Sequence, residues 1–265
     1  MRIILLLLLA MQLFSAQRII ALTPAISEIV FALNKEDALI GVNKYASYPK
    51  EVQKINKVGD YFSLNLEYIL SLEPTLLITQ NNQSKTIKSL QKFNIKILSV
   101  NLDTIKDIKN SIMKIAKATQ STKRAKKIIA DINKAIFNVK KIKNKERVLV
   151  VFGLNSDLTH GIFIASGDVY FNEILTLCGA QNAYQGSFAS VPKLSYENII
   201  ALNPQRVIIL DASKSTTSKE SKQAIKIWKK LPIDASKNSK IIHLDEDYIT
   251  MPSHRIALSI EKFSK

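Results

Sequence analysis

From Ser121 to Lys143 the chain reads STKRAKKIIADINKAIFNVKKIK. Ala125, Ile128, Ile129, Ile132, Ala135, Ile136, Val139 and Ile142 recur at spacings of three and four, which predicts a helix with one apolar face and an otherwise basic surface. No Gly or Pro interrupts the run, and Ser121 or Thr122 is suited to cap its start. As one helix it would extend about 33 Å. On both sides of it, short apolar runs alternate with amphipathic segments. Before it, strands are predicted at Arg18–Leu22, Leu39–Val42, Leu76–Ile78 and Ile95–Val100. Helices are predicted from Pro24, from Leu66 behind a capping Asn65, around Ser84–Phe93 and over Thr104–Ala118. After it come strands at Arg147–Phe152, Arg206–Leu210 and Lys240–Leu244, with helices at Asp168–Leu177, behind a capping Ser195, at Ala224–Trp228 and over Pro252–Phe263. Strands in alternation with helices predict α/β architecture, with parallel sheets covered on both faces.

The chain also says nearly the same thing twice. Residues 66–78 read LEYILSLEPTLLI and residues 196–208 read YENIIALNPQRVI. Glu67 aligns with Glu197, Ile69 with Ile199, Leu72 with Leu202, Pro74 with Pro204 and Ile78 with Ile208, and each copy has a capping residue two places before its Glu. An internal echo of this kind predicts two similar lobes, one on each side of the long helix, with a ligand cleft between them. The expected division is a lobe over 17–120, a bridging helix over 121–143 and a second lobe over 144–265. In lobes of this type ligands sit beyond the carboxyl ends of the strands, so the loops after each strand are the pocket candidates.

At 265 residues, 46% hydrophobic and 23% charged, the chain can bury a full-sized core. Its 38 Lys and Arg against 22 Asp and Glu give +16. No Lys/Arg block is interleaved with aromatic residues, so nucleic acid is not the expected partner; a solvated basic face or an anionic ligand is. Met1-Arg2, an apolar run from Ile3 to Met11 and small residues at Ser15-Ala16 have the shape of a secretory signal over residues 1–16, with a retained anchor as the alternative. Loss of Arg2 with that segment lowers +16 to +15. Cys178 is the only cysteine, so an exported chain would have no internal disulfide and would depend on its core. The expectation is a soluble, exported monomer.

The segments RIIALTPAISEIVFAL, IGVNKYASYP, VGDYFSLNLEYILSLEPTLLI, FIASGDVYFNEILTLCGAQNAY, LSYENIIALNPQRVIIL and HLDEDYITMPSHRIAL resemble the helical-backbone class of periplasmic solute-binding proteins. That class serves ABC importers of iron chelates, haem and cobalamin. The Tyr-x-x-Tyr-Pro loop and the Asn-Leu-Glu helix are most similar to the cobalamin-binding branch. The resemblance implies limited lobe closure on a bound metal chelate and delivery to the importer's membrane subunits. It implies that Glu67 and Glu197 meet arginines of those subunits, although a Glu in a first helical turn also stabilises its own helix. Tyr61 and Tyr248 fall where the branch has aromatic ligand contacts, and Arg255 matches a family arginine near a helix start, which makes it a further candidate ligand contact. Tyr45 and Tyr48 lie in post-strand loops of the first lobe, where aromatic faces suit a large planar macrocycle. The family partner of Cys178 would lie near Ser264 and is absent.

Cobalamin is therefore the expected ligand, with haem or a ferric siderophore next; Tyr61 or Tyr48 could supply a phenolate to haem iron. His160, in the loop after Phe152, and His254, beside Arg255, could each face the cleft and ligate metal, whereas His243 lies within a strand and reads as structural. No intrinsic cofactor is expected. The chain shows no phosphate-binding Gly loop, no Gly-x-Ser-x-Gly elbow and no Cys/His cluster, which argues against an enzyme and leaves a structural protein at the membrane as the third reading.

Overall fold

The computed structural model describes residues 17–60, 63–80, 85–93, 95–141, 145–154, 157–186, 191–212 and 218–264. The proposed signal segment and Tyr61 lie outside the described residues. The chain divides into two compact units: residues up to Leu102 together with Lys109–Ile128, and Asp103–Ile108 together with Ile129 onward.

The first unit is built on a five-stranded parallel sheet in the order β3-β2-β1-β4-β5. Its strands are β1 (Ile19–Ala21), β2 (Leu39–Val42), β3 (Asn56–Lys57), β4 (Leu76–Gln80) and β5 (Lys96–Val100). Strand β1 is apolar at every position and β4 over Leu76–Ile78, because both faces are covered there. Ile20, Leu22 and Leu77 pack under helices α2 (Leu66–Ser71) and α3 (Lys85–Leu90), through Ile69, Ile87 and Leu90. Helix α1 (Pro24–Ala32) starts behind Thr23, whose hydroxyl accepts the Ile26 N–H at 3.2 Å, with Pro24 at a first-turn position where no donor is missed. Helix α4 covers Ile105–Ala118.

The predicted long helix is shorter than its periodicity suggests. Helix α5 covers Thr122–Phe137, and the backbone then tightens, with Val139 N–H reaching only to Ile136 O at 3.3 Å. Ala125, Ile128, Ile132 and Ala135 are buried, but Phe137 is 88% exposed. Ile136 and Val139, next on the apolar face, are only half-buried, and helix propensity alone does not sustain a further turn. Ile142 lies outside the described residues. The division between the two units passes within α5, after Ile128, and Asp103–Ile108 at the start of α4 also belongs with the second unit.

The second unit has the sheet order β11-β10-β6-β7-β9, with β8 beside β6. Its strands are β6 (Arg147–Phe152), β7 (Ile162–Ile164), β8 (Gln181–Asn182), β9 (Lys193–Leu194), β10 (Arg206–Leu210) and β11 (Ile241–Leu244). Strands β6, β10 and β11 run parallel as the pattern predicts, but β7 is antiparallel to both β6 and β9. The expectation of parallel sheets throughout is corrected here. The three-residue Ile-Phe-Ile run of β7 carries no periodicity long enough to read, and Phe163 between its two buried isoleucines is 46% exposed. Helices α6 (Tyr170–Leu177) and α10 (Ile256–Phe263) meet on one face, with Phe171 edge-on to Phe152 and tilted against Phe263, ring centres 5.4 and 5.9 Å away. On the other, α7 (Tyr196–Leu202) and α8 (Ser218–Trp228) deliver Ile199 and Trp228 to a core with Leu149, Val151, Val207 and Ile209. A four-residue helix, α9 (Asp234–Lys237), leads into β11. The last helix starts at Ile256, not at Pro252, so His254 sits in the turn before it.

Candidate functional site

The echo in the sequence has a physical counterpart. Asn65 accepts the Tyr68 N–H at 3.0 Å and Ser195 accepts the Asn198 N–H at 3.3 Å, so both helices are capped alike. Glu67 and Glu197 occupy the second position of each helix and both are exposed. The Glu197 carboxyl lies below the ordinary value because its own backbone N–H and the Ser195 hydroxyl favour the charged form. The repeat also includes a pair of residues that the sequence comparison missed. Arg18 donates to Leu72 O at 2.7 Å and Glu73 O at 3.1 Å. Arg147 donates to Leu202 O at 2.8 Å and Asn203 O at 2.6 Å. Each arginine opens the first strand of its unit and satisfies the carbonyls left at the end of the glutamate helix. Glu73 and Asn203 turn the chain there with φ of 46° and 42°. The signal was present as an Arg before each strand, but nothing short of the fold joins positions so far apart.

At the carboxyl edge of the first sheet, Tyr45 is 59% exposed and Tyr48 is 38% exposed. Their loop is held from below by side chains that hydrophobic patterning does not reveal. Asn43, fully buried, donates to Leu22 O at 3.0 Å and accepts the Tyr45 N–H at 2.9 Å. Lys57 donates to Ala46 O at 3.2 Å and Val52 O at 3.0 Å, and burial lowers its pKa. Lys44 lies 4.9 Å over the Tyr45 ring and is ion-paired with Asp60 of the next loop. The hydrogen bond that the Lys44 ammonium donates to Asp60, with a smaller contribution from Tyr45, raises the pKa of Lys44. Gly59, at φ +119°, sits where any Cβ would meet Ser63 O at 2.2 Å, so this loop requires glycine.

The corresponding edge of the second sheet is more acidic. Asp245, Glu246, Asp247 and Tyr248 follow β11 directly. Tyr248 is half-buried, and burial followed by the neighbouring Glu246 raises its phenol pKa. Arg255, only 6% exposed, donates to Asp247 at 2.8 Å and lies 5.9 Å from the Tyr248 ring centre. The structure thus brings Arg255 and Tyr248 together, with the guanidinium behind the ring. His160 is exposed and its Nδ1 is 2.9 Å from Asp157. His254 is half-buried. His243 lies within β11, its Nε2 3.9 Å from Asp211. Among the described residues, no group of three or more His, Cys, Asp or Glu side chains is arranged to hold a metal ion. Cys178 is a buried free thiol, pushed up to about 11 by burial.

Two α/β units, the first on a parallel sheet and the second on a mixed one, each carry loops at the carboxyl edge of the sheet, a framework that suits a solute-binding protein. The family described as periplasmic binding protein matches residues 19–248, and the chain belongs to that family. The vitamin B12-binding protein of Salmonella typhi is 30% identical over 263 residues, covering 97% of this chain and 92% of that protein. The fold is shared with the periplasmic haem-binding protein RhuT from Roseiflexus sp. RS-1 (TM-score 0.77, 22% identity, 94% and 97% of the two chains). It is also shared with the periplasmic vitamin B12-binding protein BtuF of Vibrio cholerae (TM-score 0.75, 20% identity, 94% and 95%).

Proposed function

We propose that this protein captures a cobalamin-type corrinoid in the periplasm and delivers it to an ABC importer. The observation that carries this reading is the near-full-length similarity to a vitamin B12-binding protein. The exposed tyrosines at the carboxyl edge of the first sheet support it, because flat, stiff rings give a macrocycle contact area with few rotors to freeze. In this reading Tyr45, Tyr48, Tyr61 and Tyr248 contact ligand, and Arg255 holds Tyr248 at its working angle. Glu67 and Glu197 dock on the importer's membrane subunits, where two like carboxylates at the heads of two like helices suit a two-fold symmetric partner. Helix α5 serves as the stiff connection between lobes, and residues 1–16 direct export.

Haem is the second reading, favoured by the exposed phenols of Tyr45 and Tyr48 and by the Lys44 cation beside them. The test is a titration of the exported protein with cyanocobalamin, haemin and a ferric siderophore, followed by calorimetry and absorption. Saturable one-to-one binding of cobalamin is expected. Binding of haemin with a ferric–phenolate spectrum, and no heat with cobalamin, would replace the first reading by the second.

A further inference from the structure

Helix α8 carries charge that the proposed ligand site does not use. Lys219, Lys222, Lys226 and Lys230 stand three and four residues apart, which aligns them along one face of the helix and its final turn. All four are exposed, and with Gln223 and Ile227 they line an open groove of about 490 Å³. Among the described residues, no carboxylate pairs with any of these four ammonium groups. Ser218–Lys230 holds those four and Lys229 against Glu220 as its single acid. The opposite face is fixed, because Ala224 and Trp228 are both 1% exposed in the core. The row therefore points outward permanently.

Its place in the fold gives the row a direction. Helices α7 and α8 cover the same face of the second sheet, since Ile199 and Trp228 share one core. Each leaves the carboxyl edge and returns toward the amino edge: α7 ends where Arg147 caps it, and α8 leads to Ala235, whose N–H reaches Pro204 O at 2.9 Å. Glu197 and Lys219 thus begin neighbouring helices at one end of this unit.

We propose that the α8 lysine row rests on anionic phospholipid headgroups of phosphatidylglycerol type. Lipid contact along the length of α8 is an encounter separate from docking of the Glu197 end on the importer, because the row runs from one edge of the sheet toward the other. A straight row of flexible ammonium groups can meet a flat anionic surface at all four points together, and each such group strengthens binding about fivefold at low salt. Phosphates of a nucleic acid would also attract the row. It offers no Arg and no exposed aromatic ring to engage bases, so lipid is the better match.

The experiment is flotation of protein recovered from the periplasm with vesicles of phosphatidylglycerol and phosphatidylcholine, against phosphatidylcholine alone. Binding to the mixed vesicles alone is expected, lost at high salt, and weakened at least about tenfold in the K219Q/K222Q/K226Q/K230Q variant. The corresponding Lys→Arg variant should bind as the parent does, and Trp228 fluorescence checks that each variant is folded. Equal flotation of the Gln variant would overturn the proposal, as would binding to a short DNA duplex more tightly than to the mixed vesicles. The assay contains neither ligand nor importer. Vesicle binding without cobalamin binding would defeat the functional reading alone, and cobalamin binding without vesicle binding would defeat the lipid proposal alone.

Discussion

Replacing Arg147 by Met removes one of the least exchangeable contacts in the second unit. The guanidinium makes two charge-assisted hydrogen bonds, at 2.8 and 2.6 Å, to the terminal carbonyls at Leu202 and Asn203. Met keeps much of the packing volume but leaves both carbonyls without that donor. Hydrogen bonds to a charged group contribute about 1.5–3 kcal/mol each when buried. Arg147 is only half-buried, so about 1–1.5 kcal/mol per bond is appropriate, or about 2–3 kcal/mol in all. The single Trp228, 1% exposed in the core of this unit, supplies the assay. With a urea dependence of about 2 kcal/mol per molar, the midpoint of the Trp228 transition should fall by about 1–1.5 M. Arg147→Lys should recover less than half of the loss, because an ammonium cannot hold two carbonyls in a planar fork. A midpoint within about 0.3 M of the parent, or Lys and Met variants that behave alike, would refute the argument that this arginine closes the helix.

Glu146, 9% exposed, lies between Arg206 and Lys240. Burial opposes its charge, but the two cations outweigh burial and hold the carboxyl below its ordinary value of 4.5. Its contribution to stability is therefore complete above pH 4.5 and is lost as pH falls through the depressed folded value. Glu146→Gln should cost about 2 kcal/mol at neutral pH and flatten the acid limb of a thermal-denaturation pH series. Tyr45→Ala and Tyr48→Ala should each weaken cobalamin binding about 5- to 20-fold by calorimetry, with thermal stability nearly unchanged, as expected when exposed rings contact a ligand. The double change Glu67→Ala/Glu197→Ala should leave cobalamin affinity intact and reduce uptake in a reconstituted importer; unchanged uptake would remove the docking assignment.

Much of the framework was legible because it is local. Continuous apolar runs located β1, β4, β6 and β10 to within two residues at each end, since a strand buried on both faces is apolar along most of its length. Capping residues located the starts of α2 and α7 because a cap acts within three residues. The end of α5 was not legible: the apolar spacing continues to Ile142, whereas the helix stops at Phe137, where burial of its apolar face weakens from complete at Ala135 to partial at Ile136 and Val139. The antiparallel strand β7 escaped notice because three residues carry too little pattern.

By itself the sequence determined an α/β chain with a repeated capped helix, two first-turn glutamates and tyrosines in the loops after strands. These properties depend on neighbours a few residues away. The tertiary structure decided which polar groups hold the site. Asn43 and Lys57 brace the tyrosine loop, Asp60 fastens Lys44 beside it, and Arg255 stands behind Tyr248. It also decided that Arg18 and Arg147 close the two glutamate helices from 54 and 55 residues away. A buried hydrogen-bond partner is chosen by what the fold brings within about 3 Å, and that choice leaves no periodic trace along the chain.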